Sequence, residues 1–187
     1  MATPIRKFTK LSFIIILLIS FLTFLKGDEL GELKRSSMTL YFQDYFGGPN
    51  ATMKPVTFSA DAWSFKQFGT IFCTDDPITV TMDQGSAEIG RAQGIYVTSA
   101  LDGSNSHVLI SLVFTNKEFG GSTLEVQGAS KQFERVREVA VVGGTGKFRL
   151  ARGYATFETV HLDLSLSYSI IEGNFTVWHY KNDGKTL

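Results

Sequence analysis

One cysteine, four prolines and three histidines in 187 residues remove several kinds of protein from consideration. Cys73 has no partner, so no intrachain disulfide can form and the fold must stand on its core. Set in the strand-like run Thr70 to Thr74, it reads as a small buried hydrophobe. His107, His161 and His179 are scattered, without the cysteine or carboxylate spacing of a zinc site, and no metal is expected. No G-x-S-x-G elbow is present for a serine hydrolase. Basic charge is thin as well. Formal net charge is zero, but the first 27 residues hold four basic groups (Arg6, Lys7, Lys10, Lys26) and no acid, which leaves 14 basic against 18 acidic residues in the body. A mildly acidic body lacks the clustered Lys and Arg that phosphate binding needs, so nucleic acid is not expected as a partner.

A phosphate-binding loop is the sharpest alternative, because Val141 to Phe148 reads VVGGTGKF. A Walker loop requires Ser or Thr after Gly-Lys, to hold magnesium, and a helix beyond it. Phe148 stands where the hydroxyl should be, the first motif glycine would fall on Val141, and the chain continues in strand-like sequence. The spacing G-x-G-x-x-G fails too. What remains is conformational: Gly143, Gly144 and Gly146 allow positive φ in a tight connection between two strands.

What is present begins with a leader. Arg6, Lys7 and Lys10 precede an uncharged apolar run from Leu11 to Leu25, the pattern of a secretory signal peptide over residues 1–27. The run is shorter than the ~20 apolar residues that span a bilayer, which weakens the anchor reading. Two sequons, at Asn50 and Asn174, agree with export and are candidate glycosylation sites. Residues 28–36 are polar and charged and read as a loose N-terminus; residues 181–187 read as a tail.

Between them, residues 37–180 show no convincing helix. Apolar or alternating runs lie at Met38–Tyr45, Phe65–Thr74, Glu88–Ser99, His107–Thr115, Ser122–Gly128, Arg135–Val142, Phe148–Thr159 and Tyr168–Tyr180, separated by Gly, Asn, Asp and Ser clusters. That is an all-β sandwich or barrel. Period-two arithmetic puts Met38, Leu40, Phe42 and Asp44 on one face and Thr39, Tyr41, Gln43 and Tyr45 on the other. Asp44 is then either an acid inside a cavity mouth or the first residue of the following turn. Gly90, Ala92, Gly94 and Tyr96 also share a face. So many small residues either leave a cavity with Tyr96 projecting into it or admit another backbone or ring closely. Asp75-Asp76 before Pro77 is a solvated turn or an acid–base pair.

The order YFQDY (41–45), FGT with DDPIT (68–79), GRAQGIY (90–96), LVFTN with GGSTL (112–124) and VREVAVVGGTGKFRLARGYA (136–155) resembles the plant dirigent proteins over residues 37–180. The resemblance implies an eight-stranded antiparallel β-barrel (the dirigent and allene-oxide-cyclase type), trimeric, N-glycosylated and exported to the apoplast or cell wall. It further implies an apolar pocket for phenolic small molecules, in which two phenoxy radicals, supplied by a separate laccase or peroxidase, couple with fixed regio- and stereochemistry. Similar members instead form or cyclise quinone methides by acid catalysis, as in pterocarpan formation; others are binding proteins of defence. No cofactor is implied by any of these. Carried over by position, the catalytic candidates are Asp44, Tyr96 and Arg137, with Arg137 also readable as a buried ion-pair partner, of a neighbour of Glu138 or of Asp44. Phe42, Asp75, Phe114 and Phe148 are the implied substrate-binding residues. Gln43 stands where many members have His, and Ser130 where lignan-forming members have an acid, so this chain resembles the broad second branch of the family.

Overall fold

The computed structural model describes residues 12–20, 31–57 and 64–181. The chain divides into two units, 1–31 and 32–187. In the first, residues 12–20 are helical. Among the described residues no helix is long and apolar enough to cross a membrane. The remainder of the expected leader and its cleavage region near Gly27 lie outside the described residues.

The second unit is a β-barrel. Its strands are β1 (Leu33–Tyr45), β2 (Met53–Thr57), β3 (Ile71–Thr79), β4 (Glu88–Thr98), β5 (Ser106–Phe114), β6 (Thr123–Ser130), β7 (Val136–Gly144), β8 (Arg152–Asp163) and β9 (Tyr168–Tyr180). They form one antiparallel sheet in the order β1-β9-β8-β7-β6-β5-β4-β3-β2, and a β1–β3 pairing closes eight of them into a barrel. The ninth, β2, lies outside the ring along β3. Alternation explains the shape: Leu40 and Phe42 on β1, Phe72 and Ile78 on β3, and Val139 and Val141 on β7 are buried, while their neighbours Cys73 and Ala140 are exposed. Each strand therefore offers one apolar face, and ring closure turns all of those faces inward.

Closure is brief. β1 and β3 pair only at Tyr41 with Thr79 and Phe42 with Ile78. Beyond that the two strands diverge, and Thr52 stitches the gap: its amide donates to Tyr45 O (2.8 Å), its carbonyl accepts from the Asp75 amide (2.9 Å), and its hydroxyl accepts from the Tyr45 amide (3.1 Å). The same gap admits Pro77 within β3. The Asp75 amide points toward Thr52, so the nitrogen two residues on points the same way, where β2 has ended at Thr74 and β1 has not begun. A missing N–H costs nothing there.

The two ends of the barrel differ. One is plugged by Phe114, Phe119 and Phe148, with ring centroids 5.3–5.6 Å apart, and by Leu124, Val141 and Val177. The other is open. Phe42, Ala92, Leu112, Val126 and Val139 belong both to the packed core and to the wall of the open cavity, and so form its floor.

Four sequence expectations change. The N-terminal segment is not loose from Leu33 onward, because Leu33 to Ser36 pair with Tyr180 to Val177 of β9. β2 was not anticipated; it is five residues long and contains Pro55, too short and interrupted to show a pattern. β3 does not stop at Thr74 but runs through the two acids and Pro77 to Thr79. Cys73 is exposed rather than buried, since Phe72, Thr74 and Asp76 take the inward parity of that strand.

The glycine loop joins two strands, β7 and β8, as expected, but positive φ is not what requires each of its glycines. Only Gly146 has positive φ, +57°, and it opens a single 3-10 turn, Gly146–Phe148, before β8. Gly144 is required by proximity instead: a Cβ there would lie 2.6 Å from both Thr123 O and Phe148 O. On β4, the close approach is likewise a backbone, since Cβ atoms on Gly90 and Gly94 would meet the carbonyls of Val113 and Leu109 at 2.5 and 2.1 Å.

A paired substitution tests the loop. Gly144→Ala is expected to lose about 1–3 kcal/mol in urea unfolding, because two backbone oxygens must move. Gly143→Ala, whose Cβ would find its nearest neighbour at 3.8 Å, should stay within about 0.5 kcal/mol of the parent.

Candidate functional site

The cavity at the open end has a volume of about 460 Å³. Aliphatic and aromatic side chains make most of its wall, with Phe46, Phe65, Phe133, Leu162 and Leu164 at the rim. Polar groups enter at few places, and they are not evenly spread.

β1, β3 and β4 supply the acidic wall. Asp44 continues the inward row of Leu40 and Phe42, so the cavity reading of the sequence is the right one. Extending the β1–β3 register past Phe42 and Ile78 sets Asp44 opposite Asp76. The Ser169 hydroxyl donates to Asp44 Oδ2 (2.9 Å), whereas Oδ1 is buried with no hydrogen-bond partner. Asp76 accepts from two hydroxyls, Thr52 at Oδ1 (2.5 Å) and Thr74 at Oδ2 (2.7 Å). Burial pushes the Asp44 carboxyl up to about 7, with the Asp76 charge adding to it and Ser169 opposing. Burial raises Asp76 too, against the two threonine hydroxyls and the more distant Arg91 charge. Tyr96 completes the wall, its ring stacked on Phe72 at 4.8 Å and 18°. Burial holds its phenol well above the ordinary value, and both carboxylates act in the same direction.

Across the barrel stands Arg137. β7 is four strands from β3 and three from β1, which is the far side of an eight-strand ring. Its two terminal nitrogens donate to Thr159 Oγ1 at 3.2 Å, and among the described residues no carboxylate lies in ion-pair range of it. Burial pulls its pKa below the usual value, with Glu158 opposing. The ion pair with Asp44 that the sequence left open is therefore absent.

Phe42 lines the cavity as expected; the other substrate-binding candidates do not. Phe114 and Phe148 lie in the plug beneath the floor. Asp75 faces outward, half exposed, and is held by Arg91 Nε (2.9 Å) and Gln93 Nε2 (3.1 Å). Arg91 keeps its carboxyl below the usual range. The cavity acid of the pair is Asp76, whereas the sequence reading carried only Asp75 forward as a binding candidate. The signal was available: once β3 is continued through Pro77, parity with Phe72 selects Asp76 and rejects Asp75. Ser130 does line the cavity. Asn50 is exposed in the turn after β1, and Asn174 is exposed on the outer wall, where Thr39 donates to it at 2.7 Å. Among the described residues no cluster of His, Cys, Asp or Glu could hold a metal.

Fold and site together define a class: a closed antiparallel barrel with one blind end and a largely apolar cup in which two acids and a phenol face a guanidinium. Known proteins narrow it. A sequence model of the dirigent-like proteins matches residues 35–178. Dirigent protein 1 of Arabidopsis thaliana is 38% identical over 150 residues, covering 78% of this chain and 80% of that one. Pterocarpan synthase 1 of Glycyrrhiza echinata is 36% identical over 151 residues, 80% of each. A solved pterocarpan synthase dirigent protein superposes with a TM-score of 0.75 at 35% identity, covering 83% of this chain and 90% of its own. The chain belongs to the dirigent family.

The raised Asp44 carboxyl has a consequence for stability. Unfolded, it would ionise near its ordinary 3.8; folded, it keeps its proton to about 7. The folded state binds the extra proton between those values, so stability is greatest below them and falls as pH rises through the interval. Between about pH 5 and 8 the parent protein should lose roughly 2–3 kcal/mol more than Asp44→Asn, read from urea unfolding at each pH.

Proposed function

We propose that the protein forms and closes a quinone methide from a phenol carrying a benzylic hydroxyl, an isoflavanol-like substrate. The observation that carries this reading is the opposition, across one largely apolar cup, of Asp44, a carboxyl that desolvation pushes up to about 7, and Arg137, which has no ion-pair partner among the described residues. Asp44 gives its proton to the benzylic hydroxyl as the carbon–oxygen bond breaks and water departs. The electron pair comes from the conjugated phenol oxygen, which releases its proton to solvent and becomes the quinone-methide carbonyl, held by Arg137. A second phenol hydroxyl of the same molecule then adds to the methide carbon. Its proton restores Asp44, the carbonyl oxygen regains one proton from solvent, and the net change is loss of one water. Tyr96 positions the leaving oxygen. The similarity to pterocarpan synthases supports the substrate class, and no cofactor is needed for any step.

Stereocontrolled coupling of two phenoxy radicals made by a separate laccase or peroxidase is the second reading, favoured by the mostly apolar wall and by the similarity to Dirigent protein 1. It asks only for orientation, and leaves the acidic wall without a task. Ser130 in the cavity, where lignan-forming members carry an acid, also argues for the cyclase. The export, glycosylation at Asn50 and Asn174, and homotrimeric assembly expected from the sequence belong to the same proposal.

The two readings separate on one requirement, an oxidant. Turnover of a preformed benzylic alcohol to a cyclised, dehydrated product without oxidant is expected, and Asp44→Asn should lower it by about 10²–10⁴-fold. Product of high enantiomeric excess formed only when a one-electron oxidant is added would transfer the assignment to radical coupling.

A further inference from the structure

Asp76 has no part in the bond-breaking steps above, yet it is the most heavily hydrogen-bonded acid of the cavity. The Thr52 hydroxyl already accepts from the Tyr45 amide, so its own hydrogen is committed to Asp76 Oδ1. Thr74, two residues back on the same face of β3, donates to Oδ2. Both oxygens of Asp76 thus receive a donor, the arrangement that favours a carboxylate. Asp44, opposite, receives one donor at Oδ2, and its Oδ1 is buried without a hydrogen-bond partner.

We propose that Asp76 is a positioning residue: an anion fixed by Thr52 and Thr74 whose charge keeps the proton on Asp44, where the substrate can take it. Two facing carboxyls in one apolar wall cannot both ionise cheaply, and the donors decide which one does. The other groups around Asp44 do not supply this charge. Tyr96 on β4 stays neutral, Arg137 on β7 is cationic and would draw the proton off, Ser169 on β9 and Thr159 on β8 do not titrate, and the lining of β5 and β6 (Ser106, Val108, Ile110, Leu112, Val126, Ser130) holds no ionisable side chain. Asp75 and Arg91 face the outer side of the barrel. The proposal rests on Asp44 being the acid of the reaction, but its test does not.

The measurement is the carboxyl titration of Asp44 by carbon-13 NMR on the full chain without ligand. In Asp76→Asn its midpoint is expected to fall from about 7 by roughly 1–2 pH units. Thr74→Val, which keeps the acid and removes one donor, should move it the same way by less, because Asp76 then holds the proton for a larger share of the time. The turnover profile should follow: Asp76→Asn loses activity roughly 10–100-fold above neutral pH and little near pH 5. An Asp44 midpoint unmoved in both variants overturns the proposal, whatever the activity. A midpoint that falls while Asp44→Asn keeps full turnover upholds the charge relation and removes the reaction assigned to it.

Discussion

The barrel closes on two residue pairs, Tyr41 with Thr79 and Phe42 with Ile78, and the site follows from how short that seam is. A longer ladder would bring β1 and β3 together along their whole length and leave no place for Thr52. Because they part after Phe42, backbone groups of Tyr45 and Asp75 need a partner, and Thr52 provides it with amide, carbonyl and hydroxyl together. Buried backbone donors are rarely left unpaired, so the turn carrying Thr52 is held to the seam as firmly as a strand. Behind it, on the outer side, Tyr168 donates to Gln43 and Gln43 donates to Thr79 (2.9 Å), whose hydroxyl passes on to Thr81 O (2.8 Å). Gln43 is thus buried although its parity is outward. The seam is stapled from both sides, and Asp44 and Asp76 sit just beyond the staple.

The adjacent acids of β3 show how one short motif serves two purposes. Asp75 points out and is locked by Arg91 and Gln93 of β4, while Asp76 points in and faces Asp44. The segments DDPIT and GRAQGIY, which carry much of the family resemblance, are therefore partners: Pro77 pairs with Arg91 and Asp75 with Gln93. Gly90 and Gly94 let β5 come against that pair closely enough to keep the wall curved. The outer ion pair is half exposed and contributes little to stability by itself; its structural use is to fix the register that aims Asp76 inward.

Much of this was legible in the sequence, and the lapses share a cause. Parity on β1 put Phe42 and Asp44 on one face and parity on β4 put Ala92 and Tyr96 on one face, with a cavity as one of the two readings left open, and all four line the cavity. Both strands run without interruption, so period two could be followed to the end. On β3 the run was ended at Thr74, so parity was never carried to Asp75 and Asp76, and the resemblance rather than parity singled out Asp75. Proline is a sound breaker only when its nitrogen faces a partner strand, and here it faces the gap below Thr52, a fact of tertiary structure. Phe148 was misplaced for a related reason: the 3-10 turn after Gly146 carries it out of strand parity and into the plug, against Phe114, Phe119 and His179. The exposure of Cys73 follows once the parity of β3 is corrected.

Arg137 and the two acids could have neutralised each other, and the barrel prevents it. A direct ion pair would satisfy the guanidinium and would pull the Asp44 proton off, since an opposite charge within about 4–6 Å favours the carboxylate. With β7 on the far side of the ring, Arg137 donates to Thr159 and, among the described residues, has no carboxylate in ion-pair range, while Asp44 keeps an oxygen without a partner among them. Both groups are then under-satisfied in the same apolar space, a cost the fold bears because the strands are held elsewhere by the plug and the stapled seam. A ligand able to accept from Arg137 at one end and from Asp44 at the other would relieve both at once. Such a ligand must be long enough to cross the cup and must carry oxygen at both ends of an apolar body, which is a stricter requirement than the apolar lining alone would impose.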